Sequence, residues 1–133
     1  MTSKVIYKGD LRTESTHLQS GTVILTDAPT DNHGRGEAFS PTDMVANSLA
    51  TCMFSIMGIK AKAMNLDLLD SIAEVTKVMQ AEPRMISEII ISFEMNAMVD
   101  EKSKTILERA ALTCPVYLSL HPDIRKTIHF NWK

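Results

Sequence analysis

The sequence predicts an α+β fold in which strands and helices are segregated along the chain. Three observations lead there. Three β-like runs open the chain; one long, nearly charge-free helical segment follows; two further β-like runs, two short helices and a last strand complete it. Helices and strands that come in blocks rather than in strict alternation point to α+β rather than a doubly wound sheet. At 133 residues the chain suits a single domain spanning residues 1–133. A chain of this size buries roughly two-thirds of its unfolded surface, so it needs no disulfide or metal staple.

The first runs are Ser3–Lys8 and Leu11–Leu18, separated by the turn pair Gly9-Asp10, and then Gly21–Thr26 after Gln19-Ser20. Turn formers then accumulate from Asp27 to Gly36, the longest loop of the chain. The helix signal that follows is the clearest in the sequence. Ser40 suits the N-cap, Pro41 the first helical position, and Asp43 stands three residues past the cap. Apolar residues run from Val45 through Leu49, Cys52, Met53, Ile56, Met57 and Ile59 to Met64, with Asn65 as the stop. A helix of about 24 residues would be about 36 Å long. No charge falls between Met44 and Met57, so the helix is expected to be buried on most sides. One three-stranded sheet would cover it poorly, which suggests a second subunit.

Two strands are expected next, Ser71–Ala81 and Met85–Met98, joined at Glu82-Pro83-Arg84; the second is β-rich with only partial alternation. Glu101–Thr113 reads as a helix with Ile106, Leu107, Ala110 and Ala111 inward. Pro115 breaks it, Pro115–Leu120 reads as a second short helix, and Lys126–Trp132 as the last strand.

Composition excludes several function classes. Fourteen Lys and Arg against sixteen Asp and Glu give a formal charge of −2, and aromatic residues are 5 %. Nucleic-acid binding draws most of its affinity from basic stripes on phosphate, so no nucleic-acid partner is expected. The N-terminus has no apolar core of signal-peptide length, and no run reaches the ~20 apolar residues of a membrane span. No membrane partner is expected. Two cysteines without an export signal point to a cytoplasmic, reducing location, where a lasting structural disulfide is not expected.

Cys52 lies well inside the long helix and Cys114 directly precedes Pro115, far away in sequence, so no C-x-x-C metal or redox motif exists. Cys52 by itself reads as a small buried hydrophobe. Cys114 falls at the N-cap of the short helix, where free N–H groups and the dipole favour a thiolate. A thiolate at Cys52 would need a cation delivered from elsewhere, and arginine suits that task because it stays charged when partly buried.

These residues carry a resemblance. The stretch Phe39-Ser-Pro-Thr-Asp-Met-Val-Ala-Asn-Ser-Leu-Ala-Thr-Cys52-Met resembles the helix of the OsmC/Ohr family (osmotically inducible protein C / organic hydroperoxide resistance), which carries a peroxidatic cysteine downstream of a proline. Leu112-Thr-Cys114-Pro-Val-Tyr-Leu-Ser-Leu120 is similar to that family's second motif, Cys-Pro followed by a short apolar helix. The order of elements matches over essentially the whole chain. The resemblance implies an OsmC-like, intertwined homodimer with its long helices packed centrally and a site at the subunit interface. It further implies reduction of a small organic hydroperoxide, with Cys52 peroxidatic, Cys114 resolving and an external dithiol as reductant. An antioxidant, stress-response role would follow, with no bound cofactor and no metal.

The family also uses an arginine near the first hairpin, and Tyr7-Lys-Gly-Asp-Leu-Arg12 resembles that region. Arg12 is the first choice for this role, against the alternative of an exposed strand arginine. Arg35, between Gly34 and Gly36, is the second, against simple solvation. One departure stands out. Many family members place a glutamate directly after the helix-opening proline to orient the arginine, and this chain has Thr42 there and Asp43 one place on. Asp43 and Cys52 fall about 180° apart around the helix, so Asp43 is assigned to the Ser40 cap. Glu14 and Glu37 are the candidate substitutes.

Other features are weaker. His17, His33, His121 and His129 show no zinc-ligand spacing. A Cys114–His121 nucleophile–base pair competes with His121 as a helix-end residue. Nine methionines either line an adaptable apolar pocket or are plain core. Gly34-Arg-Gly36 lacks the strand–turn–helix setting of a phosphate loop. Two alternatives to a peroxidase stay open: a dimeric binding protein for a small apolar ligand, and a thiol redox sensor.

Overall fold

The computed structural model describes residues 1–133 and divides into two compact units, Met1–Val45 and Ala46–Lys133, with the division inside the long helix.

The first unit is an antiparallel three-stranded meander, in the order β1 (Ser3–Gly9), β2 (Arg12–His17), β3 (Val23–Asp27). The β1–β2 turn is displaced by one residue from the expected Gly9-Asp10. Asp10 and Leu11 both adopt positive φ, 50° and 62°, and Gly9 (φ 85°) absorbs a register shift between Tyr7 and Gly9. Two left-handed residues give the turn the twist that antiparallel strands need, and a glycine is the least strained choice at the bulge. Between β2 and β3 the amide of Gly21 (φ 77°) donates to the His17 carbonyl at 2.7 Å, closing a longer loop. The resulting register sets Arg12 directly opposite Asp27. The loop after β3 contains a single 3-10 turn, Thr30–Asn32, which turn-former clustering alone did not reveal.

Helix α1 (Pro41–Ala63) starts as expected. The Asp43 amide donates to Ser40 Oγ at 3.0 Å and the Ser40 amide to Asp43 Oδ2 at 2.9 Å. This reciprocal capping box satisfies two amides that have no helical partner. The helix ends where Asn65 turns left-handed at φ 57°.

In the second unit, β4 (Ile72–Gln80) pairs antiparallel with β5 (Met85–Met95), and β6 (Arg125–Trp132) lies parallel to β5 on its other side. A parallel neighbour requires a crossover. Helices α2 (Glu101–Ala111) and α3 (Pro115–Ser119) supply it. Asp100 caps α2 by accepting from the Ser103 amide at 2.7 Å. The partial alternation of β5 has a local cause. Val78 faces Glu88 but Met79 faces Ile86, so Ser87 is an extra residue, and its hydroxyl donates to the Val78 carbonyl. Beyond this bulge Ile89, Ile91, Phe93 and Met95 all point into the core.

Leu49, Ala50, Met53 and Met57 of α1 share that core with these β5 residues and with Ala111, Cys114 and Ile124. Phe93 meets Phe54 edge-on at 4.9 Å and stacks on Phe130 at 5.1 Å. Met53, Met57 and Met95 are therefore core, and the apolar-pocket reading of the methionines finds no support in them.

Within one chain α1 buries a single stripe, Ala46, Leu49, Ala50, Met53, Met57 and Ala61, while Val45 and Ile59 are exposed, so one chain covers it poorly, as expected. By length and composition α1 is also apolar enough to cross a membrane, contrary to the count of apolar runs. The same test is met by core helices of soluble proteins, and α1 has its stripe in the core.

Ile91 is fully buried, so Ile91→Ala is expected to lower unfolding free energy by about 2–5 kcal/mol in urea titrations. A loss below about 1 kcal/mol would mean that this part of the core is loosely packed.

Candidate active site

Within the second unit, the core brings the two cysteines together. Cys114 is fully buried and is the N-cap of α3, its Sγ accepting the Tyr117 amide at 3.3 Å. Cys52 is half-buried on α1 and packs against the same core cluster. Both thiols are free, and Cys52 is near enough to Cys114 to raise its thiol.

The expectation that the helix N-terminus makes Cys114 a ready thiolate is corrected here. Burial pushes the Cys114 thiol above its ordinary value, and the neighbouring Cys52 raises it further. The amides of Tyr117 and Val116 oppose this without overcoming it. Desolvation penalises the charged form, and a helix of one turn has little dipole to set against it. His121 is not a base for this thiol: its Nδ1 accepts the Asp123 amide at 3.1 Å, as a helix-end residue does. Two open surface depressions of this unit, one by Asp70, Glu94 and Trp132 and one by Gly58, Asn65 and Leu68, are lined by neither cysteine.

Within the first unit, Arg12 is anything but a free strand arginine. Its Nε donates to Asp27 Oδ1 and its Nη2 to Asp27 Oδ2, both at 2.7 Å, and Nη2 also reaches Glu37 Oε2 at 3.2 Å. Asp27 is fully buried and its Oδ2 also accepts the Glu37 amide at 3.2 Å. The guanidinium holds the Asp27 carboxyl below its ordinary value, and the two carboxylates push Arg12 further up. Such a two-pronged pair is the strongest geometry open to arginine and carboxylate.

Of the substitutes considered for the family glutamate, Glu37 does touch Arg12; Glu14 pairs across strands with Ile6 and Leu25 instead. Thr42 stays by the cap, its Oγ1 at 3.2 Å from Ser40 Oγ, and Asp43 closes the capping box. Arg35 donates to the exposed Asp10 at 3.1 Å, a surface ion pair rather than a poised cation.

Asp27 is the residue that sequence reasoning missed, because it opens a run of turn formers and reads as loop. The signal lay in the hairpin register. A β2–β3 loop closing between His17 and Thr22 puts Asp27 opposite Arg12.

Residues 34–129, which include both cysteines, match the model of the OsmC-like protein family. The chain belongs to that family. The OsmC-like chain is 54 % identical to a protein of known structure from Psychrobacter arcticus 273-4, described as an osmotic stress induced and detoxification response protein. The match covers 98 % of this chain and 96 % of that one at a TM-score of 0.96. The fold is shared with far more distant proteins. An OsmC-like protein from Mycoplasma pneumoniae superposes with a TM-score of 0.81 at 16 % identity, covering 98 % of this chain and 94 % of that one. An organic hydroperoxide resistance protein OsmC from Legionella pneumophila gives 0.72 at 15 % identity, over 98 % and 97 % of the two chains. No curated protein matches the chain.

The difference between the two cysteines predicts their order of alkylation. With iodoacetamide near neutral pH, peptide mapping is expected to show Cys52 modified well before Cys114, with Cys114 catching up as pH rises toward its elevated thiol value. Equal rates at neutral pH would contradict the burial of Cys114.

Proposed function

We propose that this OsmC-like protein is a thiol-dependent peroxidase for organic hydroperoxides, with Cys52 as peroxidatic and Cys114 as resolving cysteine. The observation that carries the reading is the meeting of a half-buried and a fully buried thiol, from distant parts of the chain, in one core. The names of the Legionella and other neighbours as hydroperoxide resistance proteins support it.

The chemistry divides into three steps. Cys52 thiolate attacks the distal oxygen of ROOH; the S–O bond forms, the O–O bond breaks, and RO⁻ takes a proton to leave as the alcohol. Cys52 is then a sulfenic acid, two electrons oxidised. Cys114 sulfur next attacks Cys52 Sγ, its proton leaves with the hydroxyl as water, and a disulfide remains. An external dithiol reduces that disulfide by exchange.

The environment of Cys114 suits the second position. A thiol pushed up by burial and by its neighbour stays protonated. Conversion of Cys52 to a neutral sulfenic acid removes the repulsive part of that penalty. Resolution is thereby favoured after oxidation rather than before it.

Arg12 is the cation of this proposal, and no metal or bound cofactor enters it. The reducing cytoplasm supplies the conditions in which a dithiol can close the cycle.

We also propose a homodimer. The first sheet leaves Val5, Tyr7, Val23 and Ile24 exposed, and α1 adds Val45 and Ile59. Apolar surface of this extent on a small chain calls for a partner, and a second copy fits the family's architecture. Sedimentation at micromolar concentration is expected to give twice the 14.8 kDa chain mass; a monomer would overturn the proposal.

The decisive experiment is mass spectrometry after one equivalent of cumene hydroperoxide, with hydrogen peroxide in parallel. A Cys52–Cys114 linked peptide, formed faster with the organic peroxide, is expected. Cys52→Ser should abolish turnover, and Cys114→Ser should allow one oxidation and block recycling. Thiols left unchanged after minutes would overturn the peroxidase, and a persisting sulfenic acid without the disulfide would instead mark a sensor.

A further inference from the structure

A guanidinium has five N–H donors, one on Nε and two on each Nη. In Arg12 three of them are committed: Nε and one Nη2 hydrogen to Asp27, the other Nη2 hydrogen to Glu37. The Nη1 pair is in none of these bonds. The Arg12 side chain is 22 % exposed while Asp27 is completely enclosed, so the carboxylate end of the pair is fixed.

We propose that Asp27 is the positioning residue of the site, fixing Arg12 by its Nε and Nη2 so that Nη1 is the edge offered to the peroxide. The inference rests on the peroxidase reading above. Asp27 does more than hold charge. The Glu37 amide donates to the same Oδ2 that receives Nη2, so one buried carboxylate orders both the arginine and the loop that brings its second partner. Glu37 is largely exposed and its contact is longer, which makes it the auxiliary hold. The anchor comes from β3, opposite Arg12 in the hairpin, and requires nothing from the residue after Pro41.

The test compares Asp27→Asn, Glu37→Gln, Arg12→Lys, Arg12→Ala and the Arg12→Ala/Asp27→Asn double variant in cumene hydroperoxide turnover with dithiothreitol. Misplacement of a positioned group costs up to about a hundredfold. Asp27→Asn is therefore expected to lower kcat/KM by about 10- to 100-fold, and Glu37→Gln by less. The double variant should be no worse than Arg12→Ala alone, because residues acting as a unit are not additive. Additive losses, or an Asp27→Asn protein with wild-type kcat/KM, would overturn the proposal. Should Asp27→Asn fail to fold, Arg12→Lys decides: it keeps the charge beside Asp27 but loses the fork, and wild-type turnover in it would also overturn positioning. Absence of turnover in the wild type would overturn the peroxidase reading and this proposal together, whereas an active wild type with an unaffected Asp27→Asn overturns only the latter.

Discussion

The packing of one helical stripe against one strand determines where the chemistry of this protein can occur. Cys52 and Cys114 have no local relationship, and no turn or motif brings them together. They meet because Ala50, Met53 and Met57 of α1 and Ile89, Ile91 and Phe93 of β5 fill a common core that also receives Ala111 and Cys114. Cores of this kind are close-packed and change volume only at a cost of a few kcal/mol. The sulfur pair inherits its geometry from that rigidity, with Cys114 deeper and Cys52 at the margin. The order of reaction proposed for the two thiols follows from depth and from the influence of one thiol on the other.

The ion pair of the first unit obeys a different physics. A fully buried carboxylate is sustainable only when it is paired and its oxygens are hydrogen-bonded. Asp27 meets both conditions through Arg12 and the Glu37 amide. The pair binds β2 to the end of β3 while the arginine keeps one edge uncommitted. Asp27 and Glu37 account for how Arg12 is held, without a carboxylate directly after Pro41.

Much of this was legible in the sequence because local chemistry decided it. Ser40, Pro41 and Asp43 set the start of α1, Asn65 its end, and Pro115 the start of α3, and each works through a cap or a missing amide that depends only on near neighbours. What was not legible depended on residues distant in sequence. The one-residue displacement of the first turn, the Ser87 bulge and the partnership of Arg12 with Asp27 are register effects, fixed by strand pairing. The elevation of the Cys114 thiol required knowing that it is enclosed, and an N-cap position by itself argued the other way.

The two sheets treat their outer strands unlike one another. Along β4 the outward positions Ile72 and Val78 are interspersed with Glu74, Thr76 and Gln80, polar groups of the kind that discourage edge-to-edge association. β1 has the consecutive exposed run Val5-Ile6-Tyr7 at an edge, and β3 at the other edge adds Val23, Ile24 and Leu25. Unpaired apolar edges are templates for aggregation unless something covers them. Under the proposed dimer, a newly synthesised chain passes through a period when its first sheet is adhesive, and the yield of soluble protein becomes a kinetic competition between pairing and indiscriminate association, one that dilution, chaperones or faster synthesis would each bias.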